Sequence, residues 1–173
     1  MARPKSKHIS LSNIQGHSDR VWFNATQKQN SINEFKNTGS ATSNIGIPEL
    51  VSIGPSFFEG FRNFPKTHWS WQINMGKTYG QPGGLENALE VARRVMHAVE
   101  GRLESFEIGN EPDIFDLVGH RPENYTVAEY VREWNQYADA CSESVLRGNE
   151  YGLEKTRLFQ GLTSSGFAKG WTV

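Results

Sequence analysis

Ser105-Phe106-Glu107-Ile108-Gly109-Asn110-Glu111-Pro112-Asp113 is the stretch from which the rest of the chain can be read. Phe106 and Ile108 alternate with polar neighbours at the two-residue period of a pleated strand. Gly109 ends the alternation and Pro112 forbids its simple continuation. Asn110 and Glu111 are thereby left at the C-terminal lip of the strand. A lone acid beside a proline is ordinarily a turn carboxylate in water. Here the flanking segments are amphipathic and long enough to be helices, so the strand belongs to a β–α unit.

Upstream, residues 85–99 place Leu85, Ala88, Leu89, Ala92, Val95, Met96 and Val99 on one helical face, with Glu86, Glu90, Arg93, Arg94 and His97 opposite. Gly101 closes that helix, and a three-residue turn leads into the Glu111 strand. Before it, residues 68–75 alternate, with Trp69, Trp71, Ile73 and Met75 on one side and His68, Ser70, Gln72 and Asn74 on the other. This pattern predicts a strand ended by Gly76, with Asn74 at its lip. Pro55 opens a short helix whose Phe57, Phe58, Phe61 and Phe64 share a face that Pro65 terminates.

Downstream, Thr126 and Glu129 form a capping box. Val127, Tyr130, Val131, Trp134, Tyr137, Ala138, Cys141 and Val145 mark one face of a long helix ending before Gly148. The next strand spans 156–160, followed by a loop over 161–166. Toward the N-terminus the sequence is irregular over 1–17, with a short strand expected at 9–14 and an apolar cluster at Val21-Trp22-Phe23. The stretch 24–47 is polar, with a helical turn expected over 31–36 and a loop over 38–46. The alternation of helix and strand predicts parallel strands covered by helices, an α/β fold.

Composition narrows the function classes. A formal net charge of −1 in 173 residues gives no electrostatic case for nucleic acid or an anionic membrane. No apolar run approaches the ~20 residues of a membrane span. The single Cys141 excludes an internal disulfide and a cysteine-cluster metal site, and it falls on a helix face where a packed thiol is expected. His8, His17, His68, His97 and His120 lack close ligand spacing, so no metal is expected. No Gly-x-Gly-x-x-Gly or phosphate-loop pattern follows a strand, and no cofactor is expected. The basic N-terminus is not followed by an apolar h-region, so this chain shows no signal peptide. Two sequons, Asn24-Ala25-Thr26 and Asn124-Tyr125-Thr126, have meaning only in a secreted protein.

The motif Glu107-Ile108-Gly109-Asn110-Glu111-Pro112-Asp113 resembles the fourth-strand motif of glycoside hydrolase family 79, the β-glucuronidase-like and heparanase-like enzymes of the retaining (β/α)8 clan. Residues 125–134 are similar to the helix that follows that strand. Gly16-His17-Ser18-Asp19-Arg20 resembles, in worn form, the glycine-rich second-strand lip. The resemblance implies a partial (β/α)8 TIM barrel, about the second to fifth β/α units, over 14–173, after an irregular segment at 1–13. It implies Glu111 as general acid/base and Asn110 as the donor to the sugar 2-hydroxyl, with Asn74 and Asp19 lining the sugar site. The implied substrate is a glycan carrying β-linked glucuronic or 4-O-methylglucuronic acid, and the full-length family form is secreted.

In that clan the nucleophile is a Glu on the seventh strand. No residue after Gln160 is acidic, and Glu104, Glu107, Asp113 and Asp116 lie below or beyond the lip rather than across it. The expectation is therefore an acid/base without its partner carboxylate, inactive alone. Unpaired sheet edges would favour self-association. The alternatives are a non-catalytic carbohydrate-binding remnant, with Trp69, Trp71 or Trp171 stacking on sugar, and a truncated gene model without independent function.

Overall fold

The computed structural model describes residues 18–35, 48–151, 158–161, 163–166 and 171. The expected strand at 9–14, the irregular segment 1–13, the loop at 38–46 and the start of the strand at 156–160 lie outside them. The described strands are β1 (Val21–Phe23), β2 (Ser31–Glu34), β3 (Leu50–Ile53), β4 (Trp69–Ile73), β5 (Leu103–Ile108) and β6 (Phe159–Gln160). The described α-helices are α1 (Gly84–Val99) and α2 (Val127–Cys141).

The fold is mixed α/β. β4, β5 and β6 form a parallel sheet in that order, with α1 and α2 as the two crossovers. The register pairs Trp71 with Phe106 and Ile73 with Ile108, so the apolar sets of the strands share one face. Gln72, Glu107 and Gln160 form a polar row across the other. A second sheet, ordered β1-β3-β2, has β3 parallel to β1 and antiparallel to β2. Asn74 Nδ2 donates to the Val21 carbonyl at 2.6 Å and Ser18 Oγ to Gln72 Oε1, which ties β1 to β4.

One expectation fails here, and one strand had gone without an expectation. Residues 31–34 are a strand, not a helical turn, and Leu50–Ile53, which carries no alternation signal of its own, is the strand it pairs with. β2 is exposed along its whole length. Pairing across the sheet, not local pattern, sets its conformation.

The apolar face of the parallel sheet is buried under aromatic rings. The 3-10 segment Pro55–Asn63 lays Phe61 edge-on to Trp69 at 4.7 Å and to Trp71 at 6.1 Å. Trp69 and Trp71 are 2% and 6% exposed, so neither presents a face to a sugar. Phe64, just past the end of the segment, packs edge-on to Trp69 at 6.0 Å but remains exposed. Each fully buried ring of this kind contributes about 1.5–3 kcal/mol.

α1 buries Ala88, Leu89, Ala92, Val95, Met96 and Val99 as their spacing requires, and it ends in left-handed Glu100 and Gly101. α2 starts with the expected capping box: Thr126 accepts from the Glu129 amide, and the Glu129 carboxylate accepts from the Thr126 amide. Its buried stripe is Tyr130, Glu133, Tyr137, Ala138 and Cys141, continued by Val145 and Leu146 in a π-helical turn. Val127 and Val131 were expected on this stripe and are exposed instead, whereas the acid Glu133 is buried.

Candidate active site

The C-terminal ends of β4 and β5 meet Asp19, which lies in the 3-10 turn Ser18–Arg20 just before β1. The sequence makes this junction possible at two glycines. A Cβ on Gly76 would lie 2.6 Å from the Asp19 Cβ and 2.8 Å from the His120 Cδ2, so only glycine lets the turn after β4 approach. Gly109, at φ +74°, turns the chain out of β5. Glu111 is left-handed too, at φ +50° and ψ +52°. A non-glycine residue held there stores roughly 1–3 kcal/mol and persists only where its surroundings fix it.

Those surroundings are specific. The Glu111 amide donates to the Thr163 carbonyl at 2.9 Å, and its own carbonyl accepts from the Ile114 amide at 3.0 Å. Asp113, 3% exposed, accepts from Ser164 Oγ, from the amide and hydroxyl of Ser165, and from the Gly166 amide. Burial works to raise the Asp113 carboxyl, and the bonds from Ser165 and Ser164 outweigh it and hold it below its ordinary value. The loop after β6 is thereby clamped to the loop after β5.

On the other side stands Asp19. Its Oδ1 accepts from the Met75 amide at 2.9 Å and the Gly76 amide at 2.8 Å, and its Oδ2 from the Asn110 amide at 2.6 Å. It is 5% exposed. Burial pushes its carboxyl up to about 6, against the pull of those three amides and of Arg121. Asn74 is also buried with both ends of its side chain in use: besides the bond to Val21, its Oδ1 accepts from the Lys77 amide at 3.1 Å. Asn74 therefore caps its own turn.

Beneath this layer Arg121 and Glu133 form a buried ion pair, each side chain 4% exposed. Arg121 donates through Nε and Nη2 to Glu133 Oε2, both at 2.9 Å, and through Nη1 and Nη2 to the Gly76, His120 and Met75 carbonyls. Its guanidinium faces the rings of Tyr79, Phe115 and Tyr125, and the Tyr125 hydroxyl donates to Glu133 at 2.7 Å. The pair fastens the 112–122 loop to α2 and to the β4 lip. His120 packs edge-on to Phe115, and burial, then Arg20, Lys77 and Arg121, drive its imidazole down to about 3. It is a neutral ring at any physiological pH.

Asp19, Arg20, Asn110, Glu111, Ile114, Phe115, Val118 and His120 line a cleft of about 50 Å³. Of the four residues singled out from sequence, Asp19, Asn110 and Glu111 border it and Asn74 lies on the same lip. Of these four, Asp19 and Asn74 have their side chains on main-chain groups, whereas those of Asn110 and Glu111 make no hydrogen bond among the described residues. Glu107 is one pleat below, where burial, then Asp19, raises its carboxyl. Arg121 and Glu133 went unnoticed in the sequence. Their signal was an acid at 133, three residues after Tyr130 and four before Tyr137, inside an aromatic stripe that demands a buried cation. Among the described residues no His, Cys, Asp or Glu group could hold a metal ion, and no helix is long and apolar enough to cross a membrane.

No protein-family model matches the chain. It is 35% identical over 108 residues to a β-glucuronidase of Aspergillus niger, covering 56% of this chain and 20% of that protein. It is 33% identical over 91 residues to a β-glucuronidase of Neurospora crassa, covering 50% and 16%. Its fold is similar to a 4-O-α-L-rhamnosyl-β-D-glucuronidase of Fusarium oxysporum solved with Rha-GlcA. That match has a TM-score of 0.55 and 20% identity, over 75% of this chain and 26% of the other. The chain thus spans a fifth or less of the curated relatives it matches, and over that part it is similar to β-glucuronidases.

Proposed function

We propose that this chain is the acid/base-bearing part of a retaining glycoside hydrolase of family 79 that releases β-linked glucuronic acid from glycans. The supporting observation is the position of Asn110 and Glu111, one and two residues past the glycine that ends the middle strand of a parallel sheet. In a (β/α)8 barrel that lip carries the chemistry. The partial likeness to two β-glucuronidases supports the choice of sugar. On this reading β4, β5 and β6 are consecutive barrel strands.

A retaining glycosidase needs one carboxylic acid to protonate the leaving oxygen and a second carboxylate, roughly 5–5.5 Å away, to attack the anomeric carbon. Glu111 takes the first role. It returns as base to draw a proton from the water that releases the sugar. Asn110 donates to the 2-hydroxyl, a bond that strengthens as charge develops. Asn74 and Asp19 stand at the lips and shape the sugar site through main-chain contacts. The nucleophile is supplied from outside these 173 residues, and the chain alone is inactive.

The test is hydrolysis of β-D-glucuronides by the full-length protein carrying this sequence. Glu111→Gln should lower the rate by about 10²–10⁴ on an alkyl glucuronide. The loss should be smaller in the first step of a nitrophenyl glucuronide, whose leaving group needs little protonation. Equal rates for wild type and Glu111→Gln on the alkyl substrate would refute the assignment.

A further inference from the structure

The Asp19 side chain bonds main-chain amides of both lips of the candidate site. Both its oxygens are occupied, by three main-chain amides, at 2.6–2.9 Å. Two of these amides, Met75 and Gly76, belong to the turn after β4. The third, Asn110, immediately precedes Glu111. The fit is tight, since even a Cβ on Gly76 would strike the Asp19 Cβ and Cγ. Oδ1 carries two of these bonds and Oδ2 one, and the residue is 5% exposed.

We propose that Asp19 is a positioning residue for Glu111: its carboxylate fixes the β5 lip against the β4 lip through main-chain amides and does not contact the sugar. The proposal rests on the reading of Glu111 as acid/base for its catalytic consequence, but the clasp itself does not. A carboxylate serves because both its oxygens only accept. An amide in its place turns an NH2 toward the Asn110 N–H, donor against donor. Protonation does the same with an O–H.

The clasp should therefore titrate. Burial puts the Asp19 carboxyl at about 6. Charged and titratable groups face it from every side: Arg121 and His120 from the loop after β5, Arg20 beside it, Lys77 after β4, Glu107 on β5, Glu111 across the cleft and Tyr137 on α2. Of these, Glu107 also has a carboxyl raised by burial. It is the group that an experiment must separate from Asp19.

In the full-length protein, selectively 15N-labelled at methionine, glycine and asparagine, the Met75, Gly76 and Asn110 amides should shift together with one midpoint near 6. Glu107→Gln should keep that common titration, and Asp19→Asn should abolish it. In turnover, Asp19→Asn should lower kcat about 10–100-fold with little change in KM, as a misplacement near 1 Å does. Amides that titrate separately, or a common midpoint that vanishes with Glu107→Gln, would overturn the proposal. So would a rise in KM at unchanged kcat, the mark of a sugar ligand. Should Asp19→Asn fail to fold, the wild-type and Glu107→Gln titrations still decide. Should Glu111→Gln prove fully active, the catalytic reading falls while the amide titration still judges the clasp.

Discussion

Removing Glu133 is the sharpest perturbation the fold offers away from the candidate site. In Glu133→Ala, Arg121 keeps its bonds to the Met75, Gly76 and His120 carbonyls and loses the carboxylate it is hydrogen-bonded to, while the Tyr125 hydroxyl loses its acceptor. An uncompensated cation at 4% exposure costs about 3–5 kcal/mol. In a chain of this size each kcal/mol lowers Tm by roughly 2–4 °C, so the fall should be about 6–20 °C. Urea unfolding followed by tryptophan fluorescence gives the same quantity isothermally. Arg121→Met combined with Glu133→Leu should recover part of the loss, because no buried charge is left alone. Recovery should be incomplete, since three carbonyls lose donors at about 1 kcal/mol each. A loss below about 1 kcal/mol in Glu133→Ala would refute the claim that this pair is what fastens the 112–122 loop.

Three further outcomes follow from the same contacts. Gly76→Ala places a methyl 2.6 Å from the Asp19 Cβ and should cost about 1–3 kcal/mol in urea unfolding, while Gly60→Ala, with open space around it, should be neutral or better. Trp71→Ala should cost about 3–5 kcal/mol and leave glucuronide KM in the full-length protein unchanged, because the ring lies in the aromatic core; a raised KM with native stability would restore the sugar-stacking reading. Asp113 has a lowered carboxyl, so its contribution is present above the ordinary Asp range and is lost as pH falls through its folded value. Asp113→Asn should therefore flatten the acid limb of a stability–pH curve below about pH 4, and an unchanged limb would exclude Asp113 as its source.

The regular, locally determined parts of this fold were legible in the sequence. Trp69–Ile73 and Leu103–Ile108 announce themselves by alternation, α1 by its apolar spacing and α2 by the Thr126–Glu129 cap, because in each case one residue's environment is set by near neighbours. What escaped was set at long range. β2 is polar and fully exposed, and it is a strand only because β3 pairs with it. Val127 and Val131 fit the apolar period of α2, yet the helix turns Glu133 inward to meet a cation twelve residues earlier. Of the candidate site, the lip residues were found from the strand and its proline. The use of Asp19 on main-chain amides, and the Asn74 bond to Val21, could not be, since those partners lie far along the chain.

The bonds that fix the backbone around Glu111 also say when it becomes fixed. β4 and β5 are joined through the local helix α1 and can pair after a modest loop closure. The Asp19–Asn110 bond spans 91 residues and the Asp113–Gly166 bond 53. Contacts so distant along the chain bear the largest closure entropy and form late. During refolding the helices and the β4–β5 pairing should be in place before the lip closes, so pulse-labelled hydrogen exchange should protect the Trp69 amide, which donates to the Arg102 carbonyl, ahead of Asn110. A population with native helix content and an open lip would then precede the native form, and a protein judged folded by its spectrum would not yet have fixed its backbone at Glu111.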